Sequence, residues 1–114
     1  MKIINISRGT TLAANAVLAD SFISRLVGLL GRKSLEPGQG LILSPSTSIH
    51  SFFMRFTFDA LFVDKDKRVI AAYPDFKPFR LSKVFWGDNV TIELPAGTIL
   101  ASRTQPGDII ALEK

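Results

Sequence analysis

The chain has no cysteine, one histidine, one tryptophan and one tyrosine among its 114 residues. Without thiols there are no disulfides, no zinc–thiolate sites and no cysteine nucleophile. A lone imidazole cannot build an ordinary zinc site, so neither metal nor cofactor is expected. Long apolar runs are also missing: none approaches the ~20 residues that a membrane-crossing helix requires. The opening MKIINISRGTT lacks the apolar core and cleavage site of a secretory signal, and a cytoplasmic location follows as the expectation. There is no G-x-G-x-x-G, and Gly38 and Gly40 lack the lysine and hydroxyl of a phosphate-binding loop. With no repeat, low-complexity tract or linker, residues 1–114 read as a single domain.

What is present is an ordinary globular composition, 46% hydrophobic and 21% charged. The net charge of +4 permits an anionic partner, but the basic residues are dispersed rather than gathered in a stripe, which argues against nucleic acid. The most informative stretch is Ser48 to Ala72. By parity, Phe52, Met54, Phe56, Phe58, Ala60 and Phe62 share one face of an extended chain, and Phe53, Arg55, Thr57, Asp59, Leu61 and Val63 the other. This pattern, rich in Phe, Val and Thr, predicts a strand. Asp64-Lys65-Asp66-Lys67 then separates two apolar runs and predicts a hairpin with a four-residue, type I loop, since no glycine is available for a primed turn.

Around this centre, Lys2–Ile6 reads as a first strand and Thr11–Leu18 as a second that pairs back on it. Asp20-Ser21 starts a helix over about 20–30, with Phe22, Ile23, Leu26, Val27, Leu29 and Leu30 as its apolar stripe and Gly31 as its stop. Gly40–Leu43 is a strand ended by Ser44-Pro45, Val69–Tyr73 the second arm of the hairpin, and Pro74–Pro78 a break. Asn89–Leu94 alternates as a strand, a helical turn falls at about 96–102, and Ile109–Leu112 closes the chain as a strand. The fold class expected is β-dominated α+β, a mostly antiparallel, barrel-like sheet around one main helix.

His50 is the one side chain whose ordinary titration lies near neutrality, with Asp59 as the carboxylate that would orient it in a hydrolase-like site. No nucleophile elbow surrounds Ser48 or Ser51. Arg25, Arg55 and Asp59 form either an ion-pair network tying helix to sheet or a two-pronged site for a carboxylate or phosphate. Glu93 and Asp108 are further acids, but nothing in the sequence brings them together as glycoside hydrolysis would need. Phe85 and Trp86, beside Arg80 and Lys83, have the composition of an interaction surface or of a weak single-strand nucleic-acid platform.

Several phrases together resemble one family. They are Arg25-Leu26-Val27-Gly28-Leu29-Leu30, Gly38-Gln39-Gly40-Leu41, Ile49-His50-Ser51-Phe52-Phe53-Met54 through Asp59 to Asp64, Glu93-Leu94-Pro95-Ala96-Gly97 and Gly107-Asp108. In this order they are similar to the signatures of the domain of unknown function 192, found in bacteria and archaea. The resemblance runs from about Ala13 to Ile110, with Leu30, Ser51 and Phe58 as departures. It implies a compact β-rich domain and no established activity. Residues and resemblance together lead to a non-catalytic binding or interaction module, a monomer or small homo-oligomer. Its site would lie between helix and central strand at Arg25, His50, Met54, Arg55 and Asp59, taking a small anionic ligand or a protein partner.

Overall fold

The computed structural model describes residues 1–19, 35–46, 48–49 and 56–114; the helix expected over 20–30 lies outside them. Among the described residues there are eight strands: β1 (Lys2–Asn5), β2 (Thr10–Ala13), β3 (Asn15–Ala19), β4 (Gln39–Leu43), β5 (Phe58–Val63), β6 (Val69–Phe76), β7 (Val90–Pro95) and β8 (Ile110–Glu113). One short helix, α1 (Thr98–Ser102), precedes β8. Among the described residues the chain is therefore β-dominated.

The strands form two sheets, a three-stranded one in the order β2-β1-β8 and a five-stranded one in the order β3-β4-β7-β5-β6. Neither closes into a barrel. All pairings are antiparallel except β3 with β4. The small sheet packs on one face of the large one, and Ile3, Leu12, Ile110, Ile42, Leu61, Val63, Ile92 and Leu94 fill the layer between them. The opposite face of the large sheet carries Leu41, Phe58, Ala60, Phe62 and Phe76 and is covered by Leu35, Ile49, Phe56 and Phe85.

The hairpin forms as its sequence suggests. Lys67 N–H donates to the Asp64 carbonyl at 3.0 Å, and Asp64 Oδ1 accepts the amides of Asp66 and Arg68 at 2.9 and 3.0 Å. With no glycine in the loop, Lys67 itself takes the left-handed conformation at φ 68°.

Three readings are corrected. Thr11–Leu18 is two strands: at Ala14 the chain leaves the small sheet for the large one, and the amides of Ala14 and Asn15 both donate to the Gly38 carbonyl at 3.0 and 2.9 Å. Pro74 does not end β6, which runs on to Phe76. That strand lies at the sheet edge, where a proline's missing N–H leaves no ladder bond unmade. The register shifts opposite Asp59, and Asp75 sits at φ 53°. Finally, the sheet expected to curl like a barrel is two open sheets stacked face to face.

Candidate binding face around Glu93

Strand β7 lies between β4 and β5, so both of its edges are paired, and its two faces look into the two apolar layers of the fold. Alternation sends Ile92 and Leu94 into the layer between the sheets, and Thr91 and Glu93 to the opposite face. Thr91 is satisfied there, its hydroxyl donating to Ser46 Oγ at 2.7 Å. Glu93 is not. It is only 4% exposed and stands in register with Leu41 on one side and Ala60 on the other. Among the described residues its buried Oε2 has no hydrogen-bond partner. Burial pushes the Glu93 carboxyl up from 4.5 to about 8, because a low-dielectric surrounding disfavours the charged form. At neutral pH Glu93 is therefore a carboxylic acid with one proton to donate.

The rim of this face is well defined. Ala19, Leu35, Ile49 and Phe56 all belong to its apolar cluster. They are also the described residues on either side of two stretches, 20–34 and 50–55. Arg25, His50, Met54 and Arg55 belong to those stretches and lie outside the described residues. Asp59 is described and stands on the other face of β5, with Leu61 and Val63. It is fully buried, its Oδ1 accepting the Asp75 amide at 2.9 Å and its Oδ2 the Ile99 amide at 2.7 Å. Both oxygens thus hold backbone, one at the bulged edge of β6 and one in the first turn of α1.

Asp108 sits in a different network. Asn5, which is fully buried, donates to Thr104 Oγ1 at 2.9 Å and to Asp108 Oδ2 at 3.0 Å. The same oxygen accepts Arg8 Nε at 3.2 Å and the Gln105 amide at 3.0 Å. Burial raises the Asp108 carboxyl, but the bonds from Asn5, Gln105 and Arg8, with the Arg8 charge, outweigh it and hold the group below its usual value. This network ties β1 to the loop before β8, on the opposite side of the large sheet from Glu93. The two acids do not converge.

The third group is the segment Lys77–Gly87. Its backbone is pinned from inside. Ser82 N–H donates to the Ile49 carbonyl at 3.0 Å, while Ser82 Oγ accepts the Ile49 amide at 2.9 Å. Lys83 N–H donates to the Tyr73 hydroxyl at 3.2 Å, and Asn89 Nδ2 to the Phe85 carbonyl at 2.8 Å. The Phe85 ring lies 4.7 Å from that of Phe62. Phe85 is therefore an anchor, whereas Trp86 is 85% exposed.

Sequence reasoning named Glu93 without recognising its burial. The signal available was its place in an apolar alternation, Val-Thr-Ile-Glu-Leu, on a strand that needs two neighbours. Among the described residues no group of three or more acidic, histidine or cysteine side chains could hold a metal ion.

Two stacked open sheets, with a carboxyl buried on the outer face of the larger one, define among the described residues a class of small β-rich domain. The chain belongs to the domain of unknown function 192 family, described as "Uncharacterized ACR", whose profile matches residues 3–112. It is 31% identical over 113 residues to a UPF0127 protein of Thermococcus kodakarensis, covering 96% of this chain and 71% of that one. It is 30% identical over 111 residues to a UPF0127 protein of Pyrococcus furiosus, covering 92% of each. Its fold is similar to the crystal structure of a protein of unknown function from Novosphingobium aromaticivorans. That match has a TM-score of 0.81 at 19% identity and covers 97% of this chain and 82% of that one.

Proposed function

We propose that the domain is a non-catalytic binding module that seats a small anionic ligand on the outer face of the five-stranded sheet, with Glu93 at its centre. One observation carries this reading: a carboxyl held inside an apolar wall with a buried oxygen that meets no donor or acceptor among the described residues. A buried polar group without a partner costs about 1–3 kcal/mol, and such costs gather where a ligand supplies the missing bond. Because Glu93 is protonated at neutral pH, it donates, and a carboxylate or phosphate oxygen is the acceptor that suits it. The stretches between Ala19 and Leu35 and between Ile49 and Phe56 contribute Arg25 and Arg55 for the ligand's charge, His50 as a further donor and Met54 as apolar contact. Asp59, on the opposite face with both oxygens occupied, stands outside this site.

The test is a titration of small carboxylates and phosphates by calorimetry and thermal shift. A ligand at a hundred times its Kd adds about 2.7 kcal/mol of stability. Affinity of the wild type is expected to hold up to about pH 8 and then to fall tenfold per pH unit as Glu93 ionises. Glu93→Gln, whose amide still donates, keeps the affinity and loses the pH dependence, whereas Glu93→Leu loses binding at every pH. An affinity that is flat through pH 8, or intact in Glu93→Leu, would sink the proposal.

A further inference from the structure

We infer that the cleft between Arg8, the end of α1 and the edge of β6 is a second binding site, which takes a small monocarboxylate with an apolar body. The cleft holds about 380 Å³, within the range of small-molecule sites, and includes Arg8 and Thr104 of the network on the far side of the large sheet from Glu93. Two arginines line it. Arg8 is held by Asp108, whose Oδ2 accepts its Nε at 3.2 Å. Arg103 donates from Nη2 to the Arg8 carbonyl at 3.4 Å. Among the described residues neither guanidinium has another partner, so each keeps further N–H donors. Arg103 is also a costly choice at its position. It ends α1 in the left-handed conformation, at φ 58° and ψ 31°, where glycine is the usual residue and a long side chain is strained. The fold gains one long bond from that exposed side chain, and the strain points to what the guanidinium meets outside the chain.

The lining selects the ligand. The Thr104 hydroxyl is engaged with Ser102 Oγ at 2.7 Å and with Asn5 Nδ2. The Ile99 carbonyl accepts the amides of Arg103 and Thr104 and the Ser102 hydroxyl, so the end of α1 turns little negative charge outward. What is left to meet a ligand is the two guanidiniums, with the Gln105 side-chain amide beside them. Of the neighbouring acids, Asp108 is bound to Asn5, Arg8 and the Gln105 amide, and Asp75 follows Pro74 on β6 without lining the cleft. Asp108 therefore matches one arginine charge, and the charge of Arg103 has no acid among the described residues. One net positive charge suits a carboxylate better than a doubly charged phosphate, and a planar carboxylate is what a guanidinium fork grips by two parallel bonds. The rest of the lining, Pro74, Ile99 and Leu100, is apolar, and Leu100 is 83% exposed. It offers cover to a short aliphatic or aromatic body.

The full chain, isotope-labelled for residue-resolved NMR, is titrated with benzoate at constant ionic strength. Saturable shifts are expected at the amides of Leu100–Gln105 and at Nε of Arg8 and Arg103. Benzamide keeps the ring without the charge, and acetate the charge without the ring. Each should bind about tenfold or more weakly than benzoate, as should inorganic phosphate. Arg103→Gly removes the guanidinium and relieves the left-handed residue. Its Tm should hold or rise while its benzoate affinity falls about tenfold or more. Arg103→Lys, with the charge but not the fork, should recover only part of the loss. The inference is overturned by benzamide or phosphate binding as tightly as benzoate, by unchanged affinity in Arg103→Gly, or by shifts confined to Thr91–Glu93. A marked fall in the Tm of Arg103→Gly also overturns it, since the arginine would then serve the fold.

Discussion

Replacing Glu93 by glutamine tests whether the carboxyl is held neutral inside the fold. The folded-state value is raised, from 4.5 to about 8, so the sign is fixed by linkage. Below pH 4.5 both folded and unfolded chains hold the proton and Glu93 imposes no penalty. Between 4.5 and about 8 the unfolded chain releases a proton that the folded chain keeps, and stability falls as pH rises. Above pH 8 both forms are ionised and the loss is complete. At about 1.4 kcal/mol per pH unit the ceiling on the whole effect is roughly 5 kcal/mol, and about 3 kcal/mol is already lost at pH 7. For a domain whose net stability is about 5–15 kcal/mol this is a large standing cost. Glutamine has nearly the same shape and no titration. Urea midpoints measured for both proteins across about pH 4 to 9 should coincide at the acid end and diverge steadily in favour of Glu93→Gln. Every other group cancels in the difference. Parallel curves would refute the reasoning, since they would mean that Glu93 is ionised in the folded protein and stabilised by a partner.

Three further outcomes are expected. Asp59→Asn keeps one acceptor oxygen but sets an amide donor against one of the two backbone N–H groups, those of Asp75 and Ile99, and should cost about 1–3 kcal/mol in chemical denaturation; a neutral result would mean that those bonds do not form. Asp108 is held below its ordinary 3.8, so its stabilisation is present above that pH and lost as pH falls through the lowered value. Asp108→Asn should therefore flatten the acid limb of the stability curve, and an unchanged limb would count against the network with Asn5 and Arg8. At Gly40 an added Cβ would meet Ala13 Cβ at 3.1 Å and Leu94 Cδ2 at 3.3 Å. Gly40→Val should lower stability by about 1–3 kcal/mol, as read by thermal unfolding, with no loss predicted only if the strands there are further apart.

The parts of the fold that could be read from the sequence are those decided by neighbours along the chain. The Asp64–Lys67 turn, the parity of Phe58, Ala60 and Phe62, and the short helix near Thr98 follow from local pattern and turn chemistry. The parts that could not be read depend on distant residues. Ala13-Ala14-Asn15 contains no strong breaker, and the chain changes sheets there because the Gly38 carbonyl takes two of its amides. Pro74 reads as a stop, yet β6 passes through it because its place at the sheet edge leaves that position free of a ladder bond. For the candidate site the limit is similar. Glu93 in an alternating strand reads as the solvent side of a half-exposed sheet. Only the placing of β7 between β4 and β5, with Leu35, Ile49 and Phe85 layered over the outer face, turns it into a buried acid.

The pairing of β1 with β8, from Lys2 against Glu113 to Asn5 against Ile110, sets an order of assembly. Strand β1 sits in the middle of its sheet, yet one of its two neighbours, β8, lies more than a hundred residues further along the chain. At a synthesis rate of roughly 5–20 residues per second, Ile3 and Ile4 wait on the order of 5 to 20 seconds for that neighbour. Until then Asn5 lacks Thr104 and Asp108, the partners that make its burial tolerable. The small sheet is thus the closing clasp of the molecule. The same adjacency makes the chain suited to circular permutation: a short flexible link from residue 114 back to residue 1, reopened in the exposed Asp64–Lys67 turn, would give β8 and β1 to the ribosome as consecutive strands and shorten the wait to that of an ordinary hairpin.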